Sequence, residues 1–449
     1  MSDRIKVLEL FETQKDFING TVETNIERYR KGNAKLTITD ESGNVLPNAL
    51  VKITQKTHEF KFGANLFMLD ELETEEKNQA YKDHFKSLFN MATLPFYWDT
   101  LEPTRNNPRY AKDSEKVYRR PPIDLCLEFC KTYGIEPREH ALAYEGFFPK
   151  WLYDASVEEI KTELERRYSE ISKRYAKVIN TIEVTNEMAW DKGRTAFYDD
   201  PDYVYWCFKL AEKYFPNNQL VINETTNNCW NDKCRVTDKY YSYIEANLLK
   251  GARIDAIGMQ YHLFNPREKE YELTRGLLNP ERLYKYMDTY SNFNKPLQIT
   301  EVTVPAYSWN KEDEEIQAEI IEKLYTIWFS HPSVEQIIYW NLVDGYAHLW
   351  DATPEKIAKS QGDMTIGENY YYGGLLRFDL SPKPAYYKIK ELLTKKWHTE
   401  LSANSNENGV IDFKGFYGGY ELEITFNGKT TTKEINLSKK TINEFKVIL

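Results

Sequence analysis

Two glutamates are the residues of this chain best placed to do chemistry. Glu187 closes the run Ile182-Glu183-Val184-Thr185-Asn186-Glu187, and Glu301 lies in Leu297-Gln298-Ile299-Thr300-Glu301-Val302. Each run reads as a buried strand that ends on an acid. The carboxyl ends of parallel strands are where an α/β barrel keeps its reacting groups. Two carboxyls at one such mouth are the minimum equipment for cleaving a glycosidic acetal. One must be protonated to release the leaving oxygen. The other must be ionised to meet the positive charge that develops on carbon. Unequal surroundings achieve this, because ionising one acid discourages the other. Asn186, beside Glu187, could reach a sugar hydroxyl.

The elements that must position these acids follow from hydrophobic periodicity. Buried-strand candidates recur at 61–67, 91–97, 138–144, 179–185, 220–223, 255–261, 297–302 and 334–341. Helical patterns fall between them, at 156–177, 202–214, 312–330 and 384–396. The first of these opens with Ser156-Val157-Glu158-Glu159, a capping box. Eight strands alternating with helices predict the α/β class and a (β/α)8 TIM barrel. The chain ends read differently. Residues 1–30 are charged and helical in pattern. The segments 35–39 and 49–53 flank a turn at Asp40-Glu41-Ser42-Gly43-Asn44, which signals a hairpin. Residues 409–449 alternate and carry an Asn427-Gly428 turn. Neither β piece is large enough to be stable alone. The expected organisation is an N-terminal segment, 1–56, of helix plus hairpin, a catalytic barrel, 57–398, and C-terminal strands, 399–449. The hairpin and the C-terminal strands should form one small β accessory domain.

The motif order resembles glycoside hydrolase family 10, best known for β-1,4-xylanases. Thr185-Asn186-Glu187 and Ile299-Thr300-Glu301 look like its acid/base and nucleophile motifs. His140-Ala141-Leu142-Ala143-Tyr144 with Pro149-Lys150-Trp151-Leu152 looks like its third strand and loop. Ile257-Gly258-Met259-Gln260-Tyr261-His262 looks like its sixth strand, and Trp340-Asn341-Leu342-Val343-Asp344 its eighth. Lys383-Pro384-Ala385-Tyr386 resembles its closing helix. The resemblance implies a retaining β-glycosidase with Glu187 as acid/base and Glu301 as nucleophile. It further implies that Asn186 binds the sugar 2-hydroxyl, that Gln260 and His262 sit beside the nucleophile, and that Trp340 forms a wall under the reacting sugar. His140, Tyr144 and Trp98 would also face substrate.

Departures from the pattern bear on specificity. The family's second strand ends in Glu-Asn-x-Met-Lys-Trp, whose Asn and Lys grip sugars on the glycone side. Here the stretch is Thr93-Leu94-Pro95-Phe96-Tyr97-Trp98, so only the Trp survives. Trp-His-x-Gln becomes Tyr144-Glu145-Gly146-Phe147, which puts the carboxylate of Glu145 where an imidazole is expected. Val302-Thr303 replaces Leu-Asp, so the acid that steadies the neighbouring histidine is missing. His348 stands at the expected second Trp position, with Trp350 two residues on. A polar grip rejects a sugar that cannot pair with it, and an apolar wall does not. These changes predict action on short oligosaccharides or small β-glycosides in preference to polymeric xylan. Arg105, Arg109, Arg119 and Arg120 read first as a solvated loop paired with Asp113 and Glu115. The sharper alternative is that they meet a carboxylate or sulfate on a sugar.

Composition narrows the partners. The formal charge is −10, from 59 basic and 69 acidic residues, which argues against nucleic acid or an anionic membrane as a partner. The 33 Tyr and 10 Trp offer flat apolar faces on which sugar rings can lie. Seven scattered histidines form no metal pattern, and no nucleotide fingerprint appears, so neither metal nor cofactor is expected. Five cysteines, at 126, 130, 207, 229 and 234, read as reduced thiols. With no apolar leader at the start, the sequence predicts a cytoplasmic protein, or a secreted one if a leader has been lost. The competing functional reading is a barrel that binds carbohydrate with little turnover.

Overall fold

The computed structural model describes residues 3–189, 193–231, 235–349, 353, 355–357 and 362–449. Trp350 and Cys234 lie outside the described residues. Two strands open the β structure, β1 (Lys31–Thr39) and β2 (Leu50–Gln55). Eight more follow: β3 (Lys61–Asn65), β4 (Met91–Pro95), β5 (Glu136–His140), β6 (Thr181–Asn186), β7 (Gln219–Glu224), β8 (Ala256–His262), β9 (Leu297–Thr303) and β10 (Val334–Tyr339). They run parallel in sequence order, and β10 closes on β3 to complete a barrel. Each overlaps one of the eight strand candidates. Every residue of β6 and β9 is buried, as strands covered on both faces require. Ile182 and Val184 in β6, and Leu297, Ile299 and Val302 in β9, are fully buried.

Local signals set the helices. The helix Val157–Tyr175 starts where the Ser156 hydroxyl accepts from the Glu159 N–H at 3.2 Å. Its Ile160, Leu164, Tyr168 and Ile171 are buried at helical spacing, so one stripe faces the barrel. The helix Lys311–Ser330 begins at Asn310, whose side chain accepts from the Asp313 N–H at 2.9 Å. Glu312, Asp313 and Glu314 suit the positive end of that helix.

The N-terminal helices belong with the barrel. Val7, Phe11, Val22 and Ile26 share its apolar core. Arg4 is buried between Glu270, at 2.7 Å, and Asp313, at 3.0 Å.

The expected hairpin does not form. β1 and β2 lie in different sheets. The turn at 40–44 is present, with the Asp40 N–H donating to the Asn44 carbonyl at 2.9 Å. The return strand then makes only a short contact, Thr39 opposite Val45, before the chain crosses over. Buried residues on both segments demand two facing layers rather than one ribbon. With β11 (Glu400–Asn404), β12 (Val410–Phe416), β13 (Gly418–Phe426), β14 (Lys429–Leu437) and β15 (Glu444–Ile448), the sheets are β12-β1-β15 and β11-β2-β13-β14. Leu36, Ile38, Val51, Ile53, Leu422 and Ile424 fill the space between them. Each such side chain contributes about 1.5–3 kcal/mol on burial. Trp397, stacked 4.1 Å from Phe329, marks the seam with the barrel.

Candidate active site

Two large hollows lie at opposite ends of the barrel. The larger, about 750 Å3, opens beside Lys61, Glu136, Gln219 and Glu335 at the amino ends of the strands. The smaller, about 630 Å3, opens at the carboxyl ends and is lined by Glu187, Glu301, Asn186, Gln260, His262, His140, Tyr144 and Trp340. Size favours the first and chemistry the second. Reacting groups belong at the carboxyl ends of barrel strands, and Glu187 and Glu301 both face the cleft that opens there.

The acids are held in different ways. Glu187 follows β6 in the left-handed backbone region, with φ of 54°. Its N–H donates to the Asn223 carbonyl at 3.1 Å. Its carboxyl accepts from the Tyr144 hydroxyl at 2.7 Å and from Gln260 Nε2 at 3.0 Å. Burial, and then the charge of Glu301, push its pKa up to about 7, against the pull of those two donors. Glu301 sits within β9, only 3% exposed. Burial would raise its pKa, but the His262 hydrogen bond, with the charges of His140, His262 and Arg138, holds it below the usual carboxylate range. One acid is therefore poised protonated and the other ionised.

Asn223, at the end of β7, ties the two together. Its Nδ2 donates to Glu301 Oε1 at 3.0 Å, to Asn186 Oδ1 at 3.0 Å and to Glu183 Oε1 at 3.2 Å. Thr300 fixes its orientation by donating to its Oδ1 at 2.7 Å. Gly258 makes room: a Cβ there would stand 2.5 Å from that oxygen. Asn186 Oδ1 also accepts from Gln260 at 3.2 Å, which leaves the Asn186 amide N–H groups to offer a ligand. The sequence reading missed Asn223. The available signal was Asn223-Glu224 closing a strand as Asn186-Glu187 does.

Thr303 takes the place of the expected acid. Its hydroxyl lies 2.9 Å from His262 Nδ1, while His262 Nε2 reaches Glu301 at 3.1 Å. A hydroxyl can donate where a carboxylate cannot. The Thr303 hydroxyl can thus orient the imidazole whose other nitrogen meets Glu301. Deeper in the barrel, His140 pairs with Glu183 at 2.8 Å and with the Tyr97 hydroxyl at 3.0 Å. Burial alone would lower the His140 pKa, but Glu183 raises it.

Three sequence expectations are corrected. Trp98 does not line the cleft. It begins a short helix, donates to Glu102 at 3.0 Å and packs on Phe148 and Trp151. Glu145 turns away from the cleft to accept from the Arg194 N–H, because a 3-10 turn at Glu145–Phe147 rotates it outward and brings in Phe147. Leu94 and Phe96 are buried in the core, so Tyr97 alone of that stretch faces the cleft. The arginine loop also divides. Arg105 pairs with Glu159 and Glu163, and Arg109 binds backbone carbonyls, including those of Thr100 and Glu115. Arg119 and Arg120 line the cleft.

Ligand atoms of His140, Glu183 and Glu301 come within 4.8 Å of one another, a spacing that a metal could use. The chemistry argues otherwise. Arg138 pairs with Glu183 at 2.6 Å, and Asn223 donates to both acids. Those oxygens are already occupied by cationic and N–H donors, so the cluster does not fit a cation.

The glycosyl hydrolase family 10 model matches residues 52–392. Over 415 residues the chain is 25% identical to anti-sigma-I factor RsgI6 of Acetivibrio thermocellus, covering 90% of this chain and 46% of that protein. Over 404 residues it is 23% identical to endo-1,4-beta-xylanase 2 of Arabidopsis thaliana, covering 88% of this chain and 32% of that protein. The chain thus spans less than half the length of these relatives. Xylanase 10B from Thermotoga petrophila RKU-1, solved in complex with xylobiose, superposes with a TM-score of 0.58 at 22% identity, covering 75% of this chain and 95% of that one. With the model matched from within β2 across all eight barrel strands to the closing helix, the chain belongs to glycosyl hydrolase family 10.

Proposed function

We propose that this cleft hydrolyses β-glycosides with retention of configuration, and that its substrates are short oligosaccharides or small β-glycosides in preference to polymeric xylan. The observation that carries the reading is the opposed displacement of two acids in one cleft: Glu187 raised to about 7 and Glu301 held low. Protonated Glu187 gives its proton to the leaving oxygen as Glu301 attacks the anomeric carbon. The carbon–oxygen bond breaks and a glycosyl ester forms on Glu301. Glu187, now ionised, takes a proton from water, whose oxygen displaces Glu301. A protein that only binds sugar has no use for opposed protonation states, which weighs against the carbohydrate-binding alternative.

The preference for small substrates rests on the glycone wall. Phe67, Tyr97, Phe147 and Trp340 line it, and Phe67 and Phe147 offer no side-chain hydrogen bond. A polymer bound across several sugars would lose contacts worth about 1 kcal/mol or more each when buried. The test is a set of aryl β-glycosides and xylo-oligosaccharides beside soluble xylan, with the first anomer followed by NMR. The β-anomer from short substrates is expected. A ladder of mid-length products from xylan would overturn the size preference, and initial α-anomer would overturn retention.

A further inference from the structure

Arg119 and Arg120 are an unusual pair. They lie in the loop between β4 and the helix Ile123–Tyr133, and they are 3% and 6% exposed. Arg119 adopts a left-handed backbone, with φ of 61°, which lets two consecutive side chains turn to the same wall. Among the described residues neither guanidinium has an acidic partner within ion-pair distance. Arg119 Nη1 donates to the Tyr346 carbonyl at 2.6 Å, and Arg120 Nη1 to the Arg119 carbonyl at 2.9 Å. The Nε of each is buried with no hydrogen-bond partner. The rest of their surroundings is aromatic. Arg120 lies 3.9 Å above the Tyr97 ring, and both guanidiniums lie 5.4 Å from the Phe67 ring.

A buried charge normally needs a partner, and two like charges over one ring need it more. Contact with ring faces offsets only part of that cost. Burial lowers the Arg120 pKa to about 10, and Arg119 adds to the effect. The acids nearby answer it only in part. The Asp99 charge acts on Arg120, but Asp99 makes no ion pair with it and keeps an unpartnered buried oxygen and a pKa raised by burial, and Glu368 is held by Asn341 at 3.0 Å. Among the described residues the cations are also confined to one wall. Across the cleft the described lining is Thr225, Thr226, Asn227, Asn265 and apolar groups, with no lysine or arginine among them.

We propose that the glycone end of this cleft is built for an acidic sugar, one that carries a carboxylate or a sulfate ester, and that Arg119 and Arg120 bind that anion. The inference rests on the glycosidase reading, which makes the wall after β4 the glycone side. The Tyr97 hydroxyl reaches His140, whose charge in turn acts on Glu301. An anion over the Tyr97 ring would therefore sit on the retained sugar or the one behind it, and not on the leaving group. Planar guanidinium forks match carboxylate and sulfate oxygens two at a time. In a family whose glycone grip is amide and amine, the grip here has become aromatic and cationic.

The test compares matched pairs on the wild-type protein. Aryl β-glucoside is set against aryl β-glucuronide and aryl β-glucoside 6-sulfate, which places the anion on the reacting sugar and separates its two sources. Xylotriose is set against xylotriose bearing a glucuronate at its non-reducing end, which places it one sugar or more behind. In at least one pair kcat/KM should favour the acidic member by about tenfold or more, the worth of a charge-assisted hydrogen bond. In Arg120→Gln, and separately in Arg119→Gln, that acid-to-neutral ratio should fall by a similar factor. Because either variant could misfold, melting of the wild-type protein is measured with glucuronate, glucose 6-sulfate and glucose. The anions should raise the melting temperature and glucose should not. Neutral members cleaved as well as or better than every acidic one would overturn the inference and leave the glycosidase reading intact. Stabilisation by anions with no glycoside cleaved would support the anion site and overturn the glycosidase reading. Equal melting with anion and glucose, together with no turnover, would overturn both.

Discussion

The two walls of the cleft follow different rules. Around Glu301, polar side chains are tied into one network: Asn223, Thr300, Asn186, Gln260, His262 and Thr303 all have partners. On the wall after β4, aromatic rings dominate and polar atoms are left over, with Arg119 Nε and Arg120 Nε unpartnered. The contrast separates two demands. Bond cleavage fixes where the acids and their donors must be, whatever the sugar, so that wall is tied together internally and keeps the Asn186 N–H groups for a ligand. Sugar recognition is completed only by the substrate, so that wall keeps unmet polar atoms.

If this division is right, damage to the first wall should be large and general, and damage to the second smaller and substrate-dependent. Glu301→Gln should cut turnover of every substrate by at least about four orders of magnitude, since no covalent step remains. Glu187→Ala should cost roughly 10²- to 10⁴-fold, most for poor leaving groups. Equal loss across aryl leaving groups of different acidity would remove Glu187 from the acid role.

The pH profile sharpens the same point. Free enzyme needs Glu301 ionised and Glu187 protonated. kcat/KM should therefore fall above about pH 7 as Glu187 ionises, and fall at low pH as Glu301 gains its proton, below the usual carboxylate range. Tyr144→Phe removes a donor to the Glu187 carboxylate, so the Glu187 pKa should rise and the alkaline limb move to higher pH. His262→Ala removes the bond that holds Glu301 low, so the acid limb should also move to higher pH. Movement of either limb to lower pH would contradict the assignment. On the other wall, Phe147→Ala removes the ring 4.2 Å from Tyr97, and KM should rise only roughly two- to tenfold. A loss as large as that of Glu187→Ala would erase the division between the walls.

How much was legible beforehand follows the same line. Glu187 and Glu301 could be read because each follows buried apolar residues of a strand, Ile182 and Val184 or Leu297 and Ile299, and an acid beside such residues stands out. Asn223 was hidden because an amide at a strand end is common, and only the convergence of β6, β7 and β9 gives it three acceptors. Trp98 and Glu145 were misplaced because a motif fixes order but not the turn that follows it. The 3-10 turn at Glu145–Phe147 swaps which side chain faces the cleft. In the accessory sheets the alternation of β1 and β2 was legible, but alternation does not say whether two strands pair or face each other. Arg119 and Arg120 read as a solvated loop because nothing local reveals that Phe67 and Tyr97, far apart in sequence, enclose them.

The central claim is that Glu301 forms a bond to the sugar with Glu187 as its proton partner. An activated 2-deoxy-2-fluoro-β-glycoside tests it most directly, because the fluorine slows both steps and the good leaving group rescues only the first. Mass spectrometry of the intact protein, then of its peptides, should find one glycosyl adduct, located on Glu301. No adduct from a protein that cleaves the parent glycoside, or an adduct on another residue, would contradict the account.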